Sequence, residues 1–269
     1  MNLASSRWVV TGASGGIGQA LVEELCRRGA RVLVAGRQAD TLHALAESHP
    51  QRVRVVVADL RTPAGRQAVV DAARDIGHVD GLINAAGVNH FGLFDGMDDA
   101  AIEQMVALNL TATLQLTHAM LPLLRERPRA TVAFLGSIFG SIGYPGQAVY
   151  SATKFALRGF AEALRRELAD GPVRVLYAAP RSTRTAMNAD AMVQMNRQLQ
   201  VAMDPPETVA RRIADALRDE RKEIYLGSPE KFFVRLNGLL PRLVDRALRK
   251  QLPVIQRFAR QPTQGTASP

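Results

Sequence analysis

Short apolar segments alternate with longer amphipathic segments along most of the chain. The short segments predict buried β-strands, whereas the longer ones repeat apolar residues at helical spacing and predict α-helices. The predicted strands are 9–10, 31–35, 53–58, 81–83, 131–135, 173–178 and 223–226. The predicted helices are 17–28, 39–47, 63–76, 105–124, 150–168 and 207–217.

Strands that are separated by helices need crossover connections and therefore pair in parallel. We predict an α/β fold with a single doubly wound parallel sheet of the Rossmann type, with about seven strands and helices on both faces. Residues 1–228 are expected to form this domain, residues 229–260 a helical extension of it, and residues 261–269 a disordered tail. Sheets of this kind bind ligands at the carboxyl ends of their strands.

The composition is that of a globular protein, since 47% of the 269 residues are hydrophobic and 22% are charged. Only residues 1–6 precede the segment 7–10 in which the first strand begins, and no apolar run reaches the roughly 18 residues that span a bilayer, so we expect neither a signal sequence nor a membrane span. Cys26 is the single cysteine, and the histidines show no paired metal-ligand spacing. These features predict a cytoplasmic protein without a metal site.

The net charge of +9 is concentrated near the C-terminus. From residue 230 onward, eight Lys and Arg residues stand against two acidic ones, which leaves +6 in this segment and a nearly balanced body. No zinc or RNA-binding motif accompanies the charge, so we do not expect nucleic-acid binding.

The basic segment is also amphipathic. Pro241 predicts a kink in its helix, and Pro253 predicts its end. Such a helix could lie on an anionic bilayer at the inner face of the membrane, pack on a second subunit, roof a ligand pocket or pack on its own domain. Its apolar positions are Phe232, Phe233, Leu236, Leu239, Leu240, Leu243, Val244, Ala247 and Leu248.

A glycine-rich segment joins the first strand to the first helix. Glycines permit a tight turn, the close approach of a pyrophosphate and close packing of the helix on its strand. The N-terminus of that helix offers free N–H groups to a phosphate. The segment therefore indicates a dinucleotide site, with the candidate residues Gly12, Ser14, Gly15, Gly16, Ile17 and Gly18.

The second strand is followed by Gly36 and Arg37. A site for an unphosphorylated ribose typically has an acidic residue near this point. Arg37 can instead pair with a 2′-phosphate, and the Ser14 hydroxyl can add a hydrogen bond. The pattern thus favours NADP(H) over NAD(H). Asp59 and Leu60, after the third strand, are expected to contact the adenine amino group.

Tyr150 and Lys154 are four residues apart on a predicted helix. This spacing places the phenol and the ammonium on one helical face, one turn apart. The positive charge is expected to lower the pKa of the tyrosine from its ordinary value of about 10. The two side chains are therefore a candidate acid/base pair.

Taken together, these motifs resemble those of the short-chain dehydrogenase/reductase family over about residues 7–228. The resemblance implies hydride transfer between a nicotinamide cofactor and a carbonyl or alcohol, in a homo-oligomer that is a dimer or a tetramer. The motifs are, in the family's order, the glycine segment 11–18, Asp59, Asn-Ala-Ala-Gly at 84–87, Asn109, Ser137, Tyr150 with Lys154, and 180–185.

The resemblance also implies roles for single residues. Tyr150 would exchange a proton with the substrate oxygen, while Lys154 lowers its pKa and holds the ribose hydroxyls. Ser137 would donate to the reacting oxygen, and Asn109 would anchor a water that relays protons from Lys154 to solvent. Further cofactor contacts are implied for Asn84, Ala85, Gly87, Tyr150, Pro180 and Thr185.

Two positions depart from the family's pattern. The usual second Asn after the fourth strand is Ala85, which removes one amide from the support of that strand. The usual Gly after Pro180 is Arg181. If the backbone there requires a positive φ, an arginine would cost of order 1 kcal/mol.

The family places a substrate lid between Arg184 and Met203, and half of the chain's eight methionines fall in it. Flexible thioethers suit an apolar ligand, although ordinary helix packing would use them equally well. We expect a hydrophobic ketone, aldehyde or alcohol of the acyl-chain or polycyclic type. The alternative is a nucleotide-binding regulatory or membrane-docking protein without significant catalysis. The methionines are Met187, Met192, Met195 and Met203.

Overall fold

One parallel sheet forms the centre of the molecule in the computed structural model, which describes residues 1–261. The tail predicted to be disordered lies outside the described residues except for Gln261. The strands are arranged in the order β3-β2-β1-β4-β5-β6-β7. They are β1 (Arg7–Thr11), β2 (Arg31–Gly36), β3 (Val53–Val57), β4 (Gly81–Asn84), β5 (Ala130–Leu135), β6 (Val173–Ala179) and β7 (Glu223–Tyr225).

Helices connect the strands and cover both faces of the sheet. A wide π-helical turn, Ala107–Ala112, joins α4 to α5. The α-helices are α1 (Gly16–Arg27), α2 (Ala39–Ser48), α3 (Pro63–Asp75), α4 (Asp99–Val106), α5 (Thr113–Arg125), α6 (Ala148–Glu167), α7 (Asp190–Gln198), α8 (Pro206–Arg218), α9 (Ser228–Leu239) and α10 (Pro241–Ala259).

Neighbouring strand residues point to opposite faces of the sheet, and both faces are buried. Val9 packs in a core with α3, α5 and α6, whereas Val10 packs in a second core with α1, α2 and α8. A strand buried on both sides needs consecutive apolar residues, which Trp8, Val9 and Val10 of β1 supply. The predicted doubly wound sheet with helices on both faces is confirmed.

The strand order reverses at β1, which is where a ligand is expected to bind in such a sheet. The chain first builds β2 and β3 on one side of β1 and then returns to build β4 on the other. Thr11, at the end of β1, is in register with Ala35 of β2 and with Asn84 of β4. The loops after β1 and β4 therefore open into one crevice.

The helix predicted at 105–124 begins earlier than expected, at Asp99. The Asp98 side chain caps it by accepting a hydrogen bond from the Ala100 N–H at 3.1 Å. The π-helical turn within it holds Asn109, which is buried. Turns of this kind are frequent at functional sites.

The C-terminal extension is a pair of helices rather than one kinked helix. Pro241 begins α10, and Pro253 lies inside it, so the prediction that Pro253 ends the helix is wrong. A proline within a helix costs about 3 kcal/mol, but burial of two large apolar side chains beyond it, Ile255 and Phe258, offsets that cost. The side chains that surround them are Phe91, Met192 and Met195.

Candidate active site

A cleft of about 740 Å³ lies at the carboxyl ends of the strands, on the crevice that the strand order predicts. Most of the candidate residues line it, although they come from seven different segments of the chain. They are Gly12, Ser14, Gly15, Gly16, Ile17, Gly18, Arg37, Asp59, Leu60, Ala85, Gly87, Ser137, Tyr150, Lys154, Pro180 and Thr185.

The glycine segment is packed so closely that side chains are excluded at two of its positions. A Cβ on Gly12, whose φ is +65°, would lie 2.6 Å from the Ala86 Cα. A Cβ on Gly18 would lie 2.0 Å from the Gly12 carbonyl oxygen. The N-terminus of α1, which starts beyond Gly15, has no side-chain cap. Its N–H groups are thus suited to an anionic ligand such as a pyrophosphate.

We expect Gly18→Ala to lower the free energy of unfolding by about 2 kcal/mol and to weaken nucleotide binding, because the new methyl would force the two backbone segments apart. Gly15→Ala is the matched control. Its nearest neighbour would be the Gly12 oxygen at an ordinary 3.5 Å, so its stability should stay within about 0.5 kcal/mol of wild type. Urea unfolding of both variants measures the difference in stability, and equal losses would contradict this packing. NADPH titration of Gly18→Ala measures the loss of binding.

Arg37 and Ser14 lie together at the end of β2. The Ser14 Oγ is 3.4 Å from the place that a Cβ on Gly36 would take, and Arg37 follows as an exposed side chain on the cleft. Asp59 also faces the cleft, but its carboxylate accepts hydrogen bonds from Arg61, one of them at 2.5 Å. This pairing holds the pKa of Asp59 below its ordinary value. Arg37 and Ser14, the predicted ligands of the 2′-phosphate, therefore lie close together. Asp59, the predicted acceptor for the adenine amino group, is already paired with Arg61.

Asn84 and Thr11 support the cleft from behind. Asn84 does not line it but is buried, donating to the Thr117 hydroxyl at 3.1 Å. The Thr11 hydroxyl accepts from the N–H groups of Ala85 and Ala86 at 3.2 and 3.3 Å. Because Thr11 satisfies this turn, an alanine at position 85 leaves these two main-chain N–H groups paired.

Asn109 also lies behind the cleft, where it joins two of its walls. Its Oδ1 accepts from the Val88 N–H at 2.8 Å, and its Nδ2 donates to the Val88 carbonyl at 2.9 Å and to the Thr153 hydroxyl at 3.3 Å. Thr153 in turn donates to the Tyr150 carbonyl at 2.8 Å. Both amide hydrogens of Asn109 are therefore engaged. The contacts give Asn109 a positioning role, and its predicted contact with a water stays a prediction.

Ser137 lies two residues after the end of β5, in a segment that hydrogen bonds hold in place. Its hydroxyl accepts from the Phe139 N–H at 3.1 Å and so caps the short helix Ile138–Gly140. The Ile138 N–H donates to the Pro180 carbonyl at 3.0 Å, which ties this segment to the loop after β6. The hydroxyl thus has a capping role, and it also faces the cleft beside Tyr150.

Tyr150 and Lys154 lie on one face of α6, as predicted, with the ammonium nitrogen 5.6 Å from the centre of the phenol ring. Burial raises the pKa of Tyr150 to about 12, an effect that the Ser137 hydroxyl opposes. Burial also lowers the pKa of Lys154 to about 8, and its Nζ donates to the Leu135 carbonyl at 2.9 Å. The pKa of Tyr150 thus lies above its ordinary value, not below it as predicted, because the effect of desolvation is the largest one. That the Lys154 ammonium stabilises the phenolate stays a prediction.

Arg181, which replaces the family's usual glycine, forms ion pairs. Its guanidinium is 2.6 Å from the Asp204 carboxylate and 3.4 Å from that of Glu230, which belongs to α9. Within residues 1–261, the non-glycine residues with positive φ are Gln200 and Glu220, so Arg181 carries no such strain. Arg181 instead links the loop after β6 to Asp204, which directly follows the lid, and to the C-terminal extension.

Several lining residues were not predicted. Asn89 follows the Asn-Ala-Ala-Gly motif at 84–87, and Tyr144 lies between Ser137 and Tyr150, but neither residue belongs to a motif. The helices of the extension contribute Phe233, Val244 and Leu248, so the extension roofs the cleft as well as packing on its own domain. Of the lid methionines, Met187 and Met192 line the cleft, whereas Met195 is buried beside α10. The sequence predicted a roof over the cleft and a methionine-lined pocket only as alternatives to ordinary packing. The amphipathic pattern of a helix does not show which surface the helix covers.

Known proteins are similar to this chain in sequence. The family model for short chain dehydrogenase matches residues 7–196. The chain is 32% identical to nodulation protein G of Rhizobium sp. (strain N33) over 233 residues, 86% of this chain and 93% of the relative. It is 31% identical to the 3-oxoacyl-[acyl-carrier-protein] reductase FabG of Escherichia coli (strain K12) over 188 residues, 70% of this chain and 77% of the relative.

Solved structures share the fold. A short chain dehydrogenase/reductase from Burkholderia phymatum in complex with NAD has a TM-score of 0.81 at 22% identity, covering 90% of this chain and 96% of that chain. A 3-ketoacyl-(acyl-carrier-protein) reductase from Brucella melitensis complexed with NADH has a TM-score of 0.77 at 23% identity, covering 83% and 95%. With the family match, the relatives and the seven-stranded sheet in agreement, the chain belongs to the short-chain dehydrogenase/reductase family of oxidoreductases.

Proposed function

We propose that the protein is an NADP(H)-dependent oxidoreductase that transfers hydride between the nicotinamide and the carbonyl or hydroxyl of a hydrophobic substrate. The main support is that Ser137, Tyr150 and Lys154 converge on the same cleft as the glycine segment. A dinucleotide fits this segment because Gly12 and Gly18 leave no room for side chains and the end of α1 is uncapped. An acid/base pair beside a nucleotide site is what hydride transfer requires.

Bound NADPH would supply the hydride to the carbonyl carbon, and the protein would manage the proton. With its pKa raised to about 12, Tyr150 is a neutral phenol at neutral pH and can donate its proton to the oxygen that becomes an alcohol. The Ser137 hydroxyl is placed to donate to that oxygen as charge develops. The ammonium of Lys154 would then stabilise the phenolate that remains. In alcohol oxidation the same groups act in reverse.

The preference for NADP(H) rests on Arg37 and Ser14. We expect Arg37→Ser to lower the ratio of kcat/KM with NADPH to kcat/KM with NADH roughly 10- to 100-fold, since a charge-assisted hydrogen bond to phosphate contributes about 1.5–3 kcal/mol. Arg54→Ser, a change at an exposed arginine outside the cleft, should leave the ratio unchanged. An unchanged ratio in Arg37→Ser would remove the case for the phosphorylated cofactor.

The proposed substrate is a lipophilic ketone, aldehyde or alcohol of the acyl-chain or polycyclic type. Phe233, Val244 and Leu248 of the roof, with Met187 and Met192 from the lid, give the cleft an apolar lining. A screen that follows the absorbance of the reduced nicotinamide tests this, using matched series of lipophilic and small polar carbonyls with both cofactors. Turnover of the polar series alone would contradict the proposal.

The alternative is a nucleotide-binding regulatory or membrane-docking protein without significant catalysis. The presence of Ser137, Tyr150 and Lys154 on the cleft argues against it. Assembly as a dimer or tetramer and a cytoplasmic location remain predictions. A protein that binds NADPH but turns over no carbonyl or alcohol in the screen would favour the alternative.

A further inference from the structure

The two helices of the C-terminal extension meet at an exposed apolar surface. Phe232 and Leu239 lie two turns apart on α9 and are 63% and 80% exposed. Leu240, in the turn, and Leu243, in the first turn of α10, are 54% and 47% exposed. We call these four residues the hairpin tip. Four large apolar side chains that are exposed between positions 232 and 243 indicate a contact with something outside the domain.

Basic side chains surround the hairpin tip. All of them are exposed, and none forms an ion pair with another residue in 1–261. The acidic residues of the extension do not balance them, since Glu230 is paired with Arg181 and only Asp245 is exposed. An apolar surface with a basic border fits a partner that is apolar inside and negatively charged at its edge. The basic residues are Lys231, Arg235, Arg242, Arg246 and Arg249.

Charge distinguishes between two occupants of this surface. If two copies of the chain met tip to tip, ten unpaired cations would be brought together, and like charges in contact destabilise an interface. An anionic bilayer instead offers hydrocarbon for the leucines and phenylalanine, and negative headgroups for the basic border. Among residues 1–261, none of the helices combines the length and apolar character needed to cross a bilayer.

We propose that the hairpin tip docks the protein on the surface of an anionic lipid bilayer, with its apolar side chains in the interface and its basic border on the headgroups. The hairpin tip lies beside the cleft, so membrane docking would bring the cleft close to lipophilic substrates; this step rests on the proposed function. Phe233, next to Phe232, is itself exposed and also lines the cleft. Leu248 of α10, which is partly exposed, and Val244, which is buried, line the cleft beside it. The docked surface is therefore continuous with the apolar roof of the cleft, so a lipophilic substrate could pass between them.

Vesicle flotation of the full chain tests the proposal without any assay of activity. Binding should be weak on phosphatidylcholine vesicles, increase when phosphatidylglycerol is added and decrease with added salt. Phe232→Ser should lower the partition coefficient roughly tenfold, because a buried aromatic side chain is lost from the interface. Arg242→Ala should lower it about fivefold, on anionic vesicles alone.

The structure supplies a matched control, because Phe94 is as exposed as Phe232, at 63%, but lies outside the extension. Phe94→Ser should bind vesicles like wild type. Circular dichroism verifies that each variant is folded, and light scattering measures its oligomeric state. The proposal is overturned if wild type does not float with anionic vesicles or if Phe94→Ser loses as much binding as Phe232→Ser. It is also overturned if Phe232→Ser dissociates an oligomer while flotation is unchanged, which would make the tip a subunit interface.

Discussion

Tyr150→Phe is expected to lower kcat by about 10³-fold while leaving the Kd for NADPH near that of wild type. The change removes one oxygen, and with it the only proton that this side chain can donate. The phenyl ring still fills the same part of the cleft, so cofactor binding and folding should be preserved. Steady-state kinetics with the best carbonyl from the screen, together with fluorescence titration of NADPH, separate the two effects.

Tyr225→Phe is the matched control for this experiment. Tyr225 ends β7 and lies outside the cleft, so the same loss of a hydroxyl should leave kcat within a factor of about two. If Tyr150→Phe kept the turnover of wild type, the proton would come from another group and the proposed mechanism would fail. If it lost NADPH binding as well, the hydroxyl would be a cofactor ligand rather than the acid.

The sheet could be predicted almost completely because its signal is local. A strand such as β1 is buried on both faces and has an apolar centre, Trp8 to Val10, and the glycine segment after it leaves no room for a side chain at Gly12 and Gly18. The C-terminal helices carried an equally clear apolar pattern, yet the prediction for Pro253 was wrong. The burial of Ile255 against residues more than fifty positions earlier outweighs the local effect of the proline.

In the site, too, local features could be predicted from the sequence, whereas features that depend on tertiary contacts could not. The residue types and spacing of Tyr150 and Lys154 predicted that they share a face, which is a property of one helix. Their pKa values depend instead on what covers them, and this includes the distant β5 that provides the Leu135 carbonyl. The role of Arg181 also depends on tertiary contacts, because its partners Asp204 and Glu230 are far along the chain. Spacing therefore predicts the chemistry present, whereas burial decides its protonation.

Burial of Lys154 should make stability depend on pH in a way that Lys154→Met removes. Its pKa is lowered from 10.5 to about 8 in the folded protein. Below pH 8 the lysine is charged in both states, and folding bears the full cost of burying the charge. Between pH 8 and 10.5 the unfolded state binds more protons, so the free energy of unfolding rises with pH. Over this window wild type should gain about 3 kcal/mol relative to Lys154→Met.

Urea unfolding of both proteins across this window measures the gain. The lost hydrogen bond to the Leu135 carbonyl is independent of pH and shifts the two curves by a constant, and Tyr150 and Cys26 titrate in both proteins and largely cancel. Lys222→Met, the same change at an exposed lysine, should run parallel to wild type. Parallel curves for Lys154→Met and wild type would show that the ammonium is solvated in the folded protein. Lys154→Met should also lose turnover, because no cation then stabilises the phenolate of Tyr150.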